Sequence, residues 1–322
     1  MNKVRVGGQA VIEGVMMRSQ NTMTVAVRKP DGSIKVKEEF VSSLAERFPI
    51  LKKPFFRGVV ILIESMVYGI GALTFSANEA VEEEEKTSDK GGGGEISPWM
   101  TAVTIIVSFA FAILLFVVVP HFATLYIGEI LPVNMGIETF TFHLIDGILK
   151  VSVFLIYIIS ISLIPDIKRV FMYHGAEHKS IFTYEAGEEL SVDNARKYST
   201  FHPRCGTSFI ILVLLISIVI FAVTFPFLPL FPDMNKILKN FIYILIKIPL
   251  LVPIAGISYE VIRLAGEKRD NVFLKAISIP GLWIQKITTR EPTDDQVEVA
   301  LAALTKAVDM ELSTGAKTPR GD

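Results

Sequence analysis

Long apolar runs separated by charged stretches are the feature that most limits how this chain can fold. Four of the runs are each long enough to cross the hydrocarbon core of a membrane as a helix. They are residues 99–119, 144–165, 208–231 and 240–262. Because a helix satisfies its own backbone polar groups in lipid, the pattern predicts a mostly α-helical, polytopic membrane protein.

The basic residues between the runs predict which side of the membrane each connection occupies. Residues 120–143 contain Glu129 and Glu138 but no Lys or Arg, whereas residues 166–207 contain six basic side chains. Cytoplasmic connections are enriched in Lys and Arg, so residues 166–207 are predicted to be cytoplasmic and residues 120–143 to lie outside. The segments before the first run and after the last are also basic, which places both chain ends in the cytoplasm.

A fifth apolar run, residues 58–77, does not fit this topology as a full crossing. Four crossings keep both basic chain ends on the cytoplasmic side, whereas a fifth would move one of them across. We therefore predict that residues 57–78 form a re-entrant or in-plane helix. Glu64, in the middle of the run, should then face protein or water, because a carboxylate that faces lipid is costly.

The N-terminal region, residues 1–56, has soluble character and is predicted to contain a cytoplasmic β-hairpin. Residues 24–27 and 34–36 alternate apolar and polar side chains on either side of the turn signal Pro30-Asp31-Gly32. Upstream, glycines flank a short apolar run. They predict a strand with glycine-permitted bends, and the alternative is that Gln9 or Glu13 lies close to a metal or substrate.

Three other segments lack a spanning pattern. Residues 79–98 combine an acidic run with four consecutive glycines and are predicted to be a flexible linker. Residues 263–312 are predicted to form cytoplasmic amphipathic helices, with a capping box at Thr293–Gln296 and apolar residues at helical spacing from Val297 to Val308. Residues 313–322 are predicted to be a disordered tail.

Composition excludes some classes of function. The formal net charge of −1, without an arginine-rich motif, argues against a nucleic-acid partner. Cys205 is the only cysteine, so no internal disulfide can form and the thiol is available as a metal ligand. The first residues lack the apolar core of a cleavable signal peptide.

The segment Tyr173-His174-Gly175-Ala176-Glu177-His178-Lys179 contains the strongest chemical motif. In a helix, His178 lies about 40° from His174 and Glu177 about 60° to the other side, so all three project from one face. The spacing H-x-x-E-H is that of the inverted zinc-protease motif, in which two imidazoles bind Zn²⁺ and the glutamate activates water. Gly175 weakens the expectation of a helix, because glycine costs about 1 kcal/mol there relative to alanine.

His202 and Cys205 supply the second half of the predicted metal site. They are three residues apart in the same predicted cytoplasmic segment, immediately before an apolar run. Imidazole and thiolate ligands favour zinc, so His174 and His178 with one or both of these residues would make a three- or four-ligand site. Three ligands leave room for water, and four favour a structural site. His121 and His143 lie on the opposite side and are predicted to be ordinary polar residues.

Several phrases of the sequence resemble those of one bacterial family. They are Gly8 to Arg18 (GQAVIEGVMMR), Tyr173 to Lys179 (YHGAEHK), His202 to Ser208 (HPRCGTS), Gly256 to Glu260 (GISYE), Pro280 to Trp283 (PGLW) and Thr288 to Pro292 (TTREP). Together they resemble the YqhQ-like membrane proteins, domain of unknown function 1385, over nearly the whole chain. The resemblance implies a bacterial inner-membrane protein that carries the label of a metal-dependent enzyme by prediction only.

The first functional hypothesis is a membrane-embedded, metal-dependent hydrolase that acts at the cytoplasmic face. Glu177 would be the general base, and Arg204 or Lys179 would stabilise an oxyanion or a phosphate. Glu260 and Lys247 would line an access path or form a structural ion pair, because ionisable residues in a span usually have such a role.

The second hypothesis is a scaffold protein in which a metal ion with four protein ligands has a structural role and holds parts of the chain together. Such a protein would bind other membrane proteins, or a second copy of itself, within the lipid bilayer. Transport is less favoured, because only Lys247, Glu260 and Glu64 are counted as intramembrane charges and no repeat of span architecture is visible.

Overall fold

The protein begins with a small antiparallel sheet in the order β1-β2-β3-β4. A computed structural model describes residues 4–81, 98–131, 135–228, 234–267 and 271–317. The strands are β1 (Gly7–Val11), β2 (Gly14–Arg18), β3 (Thr22–Arg28) and β4 (Ile34–Phe40). The predicted hairpin is present as β3 and β4. The upstream run forms a second hairpin, β1 and β2, rather than one bent strand.

The turn between β1 and β2 depends on two residues. Glu13 adopts a positive φ of 50°, which is uncommon for a residue with a side chain. Gly14 follows it, and a Cβ at that position would lie 2.2 Å from the Ala26 carbonyl oxygen. Only glycine therefore allows β2 to approach β3 this closely.

The rest of the described chain is mainly helical, as predicted. The helices are α1 (Leu44–Arg47), α2 (Phe56–Val81), α3 (Pro98–Ile113), α4 (Val119–Ile130), α5 (Phe140–Ile161), α6 (Pro165–Ala186), α7 (Val192–Arg196), α8 (Gly206–Thr224), α9 (Lys236–Glu267), α10 (Val272–Thr288) and α11 (Asp294–Lys317). A π-helical turn, Leu114–Val118, joins α3 to α4. Two short 3₁₀ turns occupy Pro49–Lys52 and Phe225–Phe227.

Five helices of the described chain are long and apolar enough to cross a membrane. These stretches are Phe56–Ala80, Ala102–Ile130, Phe140–Ile161, Gly206–Phe227 and Lys236–Ala265. The first is the run for which the charge pattern predicts a re-entrant or in-plane helix. Its length and composition alone also allow a crossing.

Several boundaries differ from those predicted. The run predicted at 99–119 continues to Ile130, so His121 lies inside a helix and not in a connection. Residues 166–207, predicted as a loop, are largely occupied by α6 and α7. Helix α6 has Pro165 in its first turn and ends at Gly187 with φ 78°, which are usual start and stop signals.

Two other predicted boundaries fall at the edges of the described residues. Helix α11 extends to Lys317, so residues 313–317 are helical where a disordered tail was predicted, and residues 318–322 lie outside the described residues. The predicted linker at 79–98 lies outside them except at its ends, where α2 finishes and α3 begins.

Both faces of the sheet are covered by helices. One face packs on α6 and α11, where Val15, Met17 and Tyr173 join a core that includes Leu301 and Leu304. The other face packs on α2, where Val25 and Val27 belong to a cluster with Ala72. The sheet therefore fixes α2 relative to α6.

The surface of α2 has the reverse of the usual amphipathic pattern. Its acidic residues face the sheet: Glu64 is 2.7 Å from Arg18, and Glu79 is 2.6 Å from Lys35. Its exposed positions are instead apolar and include Ile63 and Val67. A long helix that buries carboxylates and exposes aliphatic side chains is suited to contact with lipid on its outer side.

Gly175 allows α6 to approach the segment after α10. The Arg290 amide donates to the Phe171 carbonyl of α6 at 2.9 Å, and a Cβ on residue 175 would lie 2.1 Å from the Arg290 carbonyl oxygen. This close approach accounts for a glycine inside the helix that carries the H-x-x-E-H motif.

We expect Gly175→Ala to lower the free energy of unfolding by roughly 1–3 kcal/mol, because the added methyl group displaces the Arg290 backbone. Gly71→Ala is the matched control, since that helical glycine has nothing within 4 Å of the added Cβ. The control should show no loss of stability. Thermal unfolding in detergent measures both variants, and equal stability of the two would contradict the close approach.

Candidate metal centre

The helical register of α6 brings the three residues of the H-x-x-E-H motif to one face, as predicted. His174 is half-buried, whereas Glu177 and His178 are buried. The imidazole centroids of His174 and His178 are 4.5 Å apart. The face points towards Cys205, which lies at the start of α8.

Each histidine is oriented by a backbone carbonyl from another part of the chain. His174 Nδ1 lies 2.8 Å from the Thr288 carbonyl oxygen, and His178 Nδ1 contacts that of Thr200. A carbonyl oxygen can only accept, so Nδ1 carries the proton and Nε2 keeps its lone pair in each neutral ring. Carbonyl-fixed imidazoles of this kind are typical of metal-binding histidines.

Cys205 presents its sulfur to both imidazoles from the N-terminal cap of α8. Its Sγ accepts from the Thr207 amide at 3.4 Å and lies 3.0 Å from His174 Nε2. The positive end of a helix dipole favours a negatively charged ligand at this position. The position of the sulfur at this helix end therefore suits a metal ligand.

His174, His178 and Cys205 form the one metal-type group among the described residues. One ligand atom from each lies within 4.8 Å of the others. Burial lowers the pKa of His178, which keeps its imidazole neutral and able to donate a lone pair. The donor set is two nitrogens and one sulfur, which fits zinc.

Glu177 stands beside this group. Its Oε2 lies 3.4 Å from His178 Nε2, and a Cβ on Gly8 would lie 2.7 Å from its Oε1. Burial raises the pKa of Glu177. Gly8 of β1 thus leaves the space that this carboxyl group fills, and so the N-terminal sheet forms part of the site.

His202, predicted as a further metal ligand, lies next to the group but outside it. Its ring centroid is 5.6 Å from that of His178. Its Nδ1 accepts from the Arg204 amide at 3.3 Å, and its Nε2 lies 3.8 Å from Glu185 Oε2. In this conformation the Arg204 amide occupies Nδ1, and the ring lies beside the three-residue group without belonging to it.

The other predicted residues have separate partners. Arg204 pairs with Glu185 and also lines the cavity next to the histidines. Lys179 pairs with Glu291 at 2.7 Å and does not line that cavity. Only Arg204 of these two is therefore positioned to meet a bound molecule.

Glu13 and Glu260 also make structural ion pairs. Glu13 binds Arg169, with a 2.6 Å contact to Nε, and accepts from the Tyr173 hydroxyl at 3.3 Å. Glu260 binds Arg57, with a 2.7 Å contact to Nε, and so joins α9 to α2. Neither carboxylate lines the cavity.

The residues that position the centre were not found by sequence reasoning. Gln285 of α10 is fully buried, accepts from the His202 amide at 2.8 Å and donates to the His202 carbonyl at 2.8 Å. It also donates to the Ser208 hydroxyl at 2.9 Å. In the sequence of α10, Gln285 is a polar residue in a largely apolar stretch, and only the structure shows that it is buried while Trp283 is exposed.

A cavity of about 680 Å³ opens onto the three candidate ligands. His174, His178 and Cys205 line it together with Glu177 and Arg204. The rest of its lining is mainly apolar, although Gln9 and Arg18 of the sheet also contribute to it. Part of the lining comes from β1, β2 and α6, and part from three of the helices long enough to span a membrane. These wall residues include Ile61 and Leu62 of α2, Phe209 and Ile210 of α8, and Ile262 of α9.

Replacing Gln285 by leucine should lower the free energy of unfolding by roughly 1–3 kcal/mol, because buried backbone groups of His202 lose their partners. Gln20→Leu, at an exposed position, is the control and should change stability little. Thermal unfolding of the purified protein compares them. A Gln285→Leu variant as stable as the control would show that the 202–208 segment does not depend on this side chain.

Comparison with known proteins identifies the family. A family model described as "Protein of unknown function (DUF1385)" matches residues 53–310, which include all three candidate ligands. The chain is 34% identical over 319 residues to the "Uncharacterized protein YqhQ" of Bacillus subtilis (strain 168), covering 95% of this chain and 92% of that protein. No solved structure matches it. The resemblance seen in the sequence motifs is confirmed, and the chain belongs to the DUF1385 family.

Proposed function

We propose that this protein is a zinc-dependent hydrolase of the bacterial cytoplasmic membrane, with its site and both chain ends on the cytoplasmic side. The observation that carries the proposal is the convergence of His174, His178 and Cys205 on one point that opens into a cavity. Three protein ligands are the usual number in catalytic zinc sites, where the fourth position holds water or substrate.

Glu177 is placed to act as the general base. It lines the same cavity as the three ligands and lies next to His178. A zinc ion held there would supply a bound water with a pKa lowered towards about 7. Glu177 would take a proton from water, and the Arg204 guanidinium would stabilise negative charge on the substrate.

The cavity walls favour an amphiphilic substrate. Its polar end carries Glu177 and Arg204, whereas its apolar walls belong to α2, α8 and α9. A molecule with an apolar chain and a polar ester, amide or phosphate group would satisfy both ends at once. Such a molecule reaches the cavity from the lipid bilayer without passing through water.

The outer surfaces of α2 and α10 support a position at the membrane surface. Helix α2 exposes aliphatic side chains and turns its carboxylates towards the sheet. Helix α10 exposes Phe273 and Trp283 while it buries Gln285. Tryptophan is enriched at the boundary between membrane and water, so both helices are suited to lie in the plane of the membrane.

The metal content of purified variants tests the ligand set. We expect His174→Ala and Cys205→Ala to lose zinc, while His202→Ala keeps it because His202 lies outside the group. Mass spectrometry of the metal gives the stoichiometry, and cobalt substitution adds a thiolate absorption band that Cys205→Ala should abolish. Full metal retention in both ligand variants would exclude this site.

The role of Glu177 is tested with Glu177→Gln. This variant should keep its metal but hydrolyse amphiphilic esters, amides and phosphodiesters in micelles on the order of 10²- to 10⁴-fold more slowly, since a general base contributes that much. Glu188→Gln, a carboxylate outside the cavity, is the control. Complementation of a deletion strain provides a second readout, and normal function of Glu177→Gln would remove the proposed base.

A metal-stapled scaffold is the second candidate, and the position of His202 is the observation that favours it. Its ring lies 5.6 Å from that of His178, so a local rearrangement would bring a fourth ligand to the ion. Four protein ligands leave no position for water, and the protein would then hold other membrane proteins or a second copy of itself. Loss of metal from His202→Ala, with normal function of Glu177→Gln, would identify this role.

A further inference from the structure

A second group of titratable side chains lies inside the helices, away from the candidate metal centre. Asp146 and Lys150 belong to α5 and Lys247 belongs to α9, and their side chains are 1%, 7% and 3% exposed. Both lysine Nζ atoms contact the same oxygen, Asp146 Oδ2, at 2.6 and 2.8 Å. These three residues are called the lysine–aspartate cluster below.

The cluster corrects the count of intramembrane charges made from the sequence. That count included Lys247 but missed Asp146 and Lys150, although both lie in the apolar run at 144–165. The shortage of such charges is one of the two grounds on which the sequence disfavours transport, and the other is the lack of a visible repeat of span architecture. Ionisable residues buried among spanning helices are typically functional, and this group was overlooked because the surrounding sequence is strongly apolar.

The charges of the cluster do not balance. Two ammonium groups face one carboxylate, so the group carries a surplus positive charge when all three are ionised. The remaining neighbours of the two Nζ atoms include the ring of Phe221, at 5.2 Å from Lys150 and 5.6 Å from Lys247. Aromatic faces offset only part of the cost of a buried charge, so release of one lysine proton makes the cluster neutral.

His121 offers a route for that proton. Its Nδ1 lies 3.4 Å from Lys247 Nζ, and its Nε2 lies 2.9 Å from Asn240 Oδ1. The side-chain Nδ2 of Asn240 donates a hydrogen bond to the Lys236 carbonyl at 2.8 Å, so the side-chain Oδ1 of Asn240 is the atom that accepts from His121. His121 Nε2 therefore carries hydrogen, and its Nδ1 lone pair faces the lysine.

The two ends of this route differ in exposure. His121 and Lys247 are buried, whereas Asn240 is half-buried and lies near the N-terminal end of α9. His121 can accept the Lys247 proton at Nδ1 and release its own proton from Nε2 to water beside Asn240. The lysine then becomes a neutral amine, His121 is left as the tautomer with its proton on Nδ1, and one proton has passed from the protein to water.

Two buried acceptors belong to the cluster and its neighbour His143. Asp146 Oδ1 and His143 Nδ1 have no hydrogen-bond partner among the described residues. His143 Nε2 lies 2.9 Å from the Ile137 carbonyl, so its Nδ1 is the accepting nitrogen. Buried acceptors without partners are rare in folded proteins, and a bound water or a hydrated proton would satisfy this pair.

The titratable surroundings of the cluster are few. Helix α4 contributes His121, and α5 adds His143 to Asp146 and Lys150. Helix α8, between Gly206 and Thr224, contains no titratable side chain. On α9 the buried Tyr243 donates its hydroxyl hydrogen to the Leu228 carbonyl at 2.8 Å. The nearest charge on α9 besides Lys247 is Lys239, which pairs with Glu138 at the end of the helices.

We propose that the lysine–aspartate cluster is a proton-binding site that exchanges one proton, through His121, with the end of the helices opposite the candidate metal centre. Phe221, which contacts the cluster, lies about 24 Å along α8 from Cys205 at a rise of 1.5 Å per residue. The site therefore faces the other side of the membrane from the metal centre. Proton exchange at this site does not require that the metal centre is a hydrolase.

The charge state of the lysines tests the proposal. The protein is labelled with ¹⁵N-lysine, and the side-chain nitrogen signals of Lys247 and Lys150 are identified by their loss in Lys247→Met and Lys150→Met. One of these two signals should change between ammonium and amine as the pH is varied through the neutral and mildly alkaline range. The Lys239 signal, identified by Lys239→Met, should stay ammonium. If both cluster lysines remain ammonium wherever the protein is folded, the proposal is wrong.

The route through His121 has its own readout. Exchange of the titrating amine with water should slow on the order of tenfold or more in His121→Phe, because the transferring base is gone. Asn240→Leu keeps the imidazole but removes its acceptor, and should also slow exchange, whereas Lys239→Met should not. Unchanged exchange in both His121→Phe and Asn240→Leu would overturn the assigned route.

Discussion

Two hydrogen bonds from histidine Nδ1 atoms to backbone carbonyls decide where the lone pairs of the candidate metal centre point. The acceptors belong to Thr200 and Thr288, far from α6 in the sequence. Without them each imidazole could rotate or change tautomer, and the two Nε2 atoms would not face Cys205 together. The centre is therefore a product of the packing of α6, the 199–205 segment and the end of α10.

The same packing determines what surrounds the centre. Gly8 and Gly175 remove side chains where β1 and the Arg290 backbone approach α6. Gln285 fixes the segment that carries His202 and Cys205. The apolar walls come from helices long and apolar enough to cross a membrane, so the polar groups of the cavity lie between these helices on one side and the N-terminal sheet on the other.

Local periodicity was enough to predict the parts of the fold and site that depend on neighbours in sequence. The common face of His174, Glu177 and His178 follows from helical geometry, and the β3–β4 hairpin follows from alternation around a turn. The closeness of Cys205 to the two histidines also agrees with the prediction. Whether these residues bind a metal remains a prediction.

Features set by distant contacts were not predictable in the same way. The orientation of His202 depends on Gln285, which is 83 residues away. Glu13 points to Arg169 because of a positive-φ turn that spacing does not reveal. Asp146 and Lys150 were missed because averaging over an apolar run conceals single charges, although their i, i+4 spacing was visible.

The distance in sequence between His174 and Thr288 also orders the assembly of the protein. Chains are made from the N-terminus, and N-terminal parts fold first. The sheet and α6 are synthesised long before α10 supplies the Thr288 carbonyl and α11 covers the sheet. His174 can therefore acquire its final alignment only after the last candidate span has been synthesised, so the completed centre forms late, when nearly the whole chain is available.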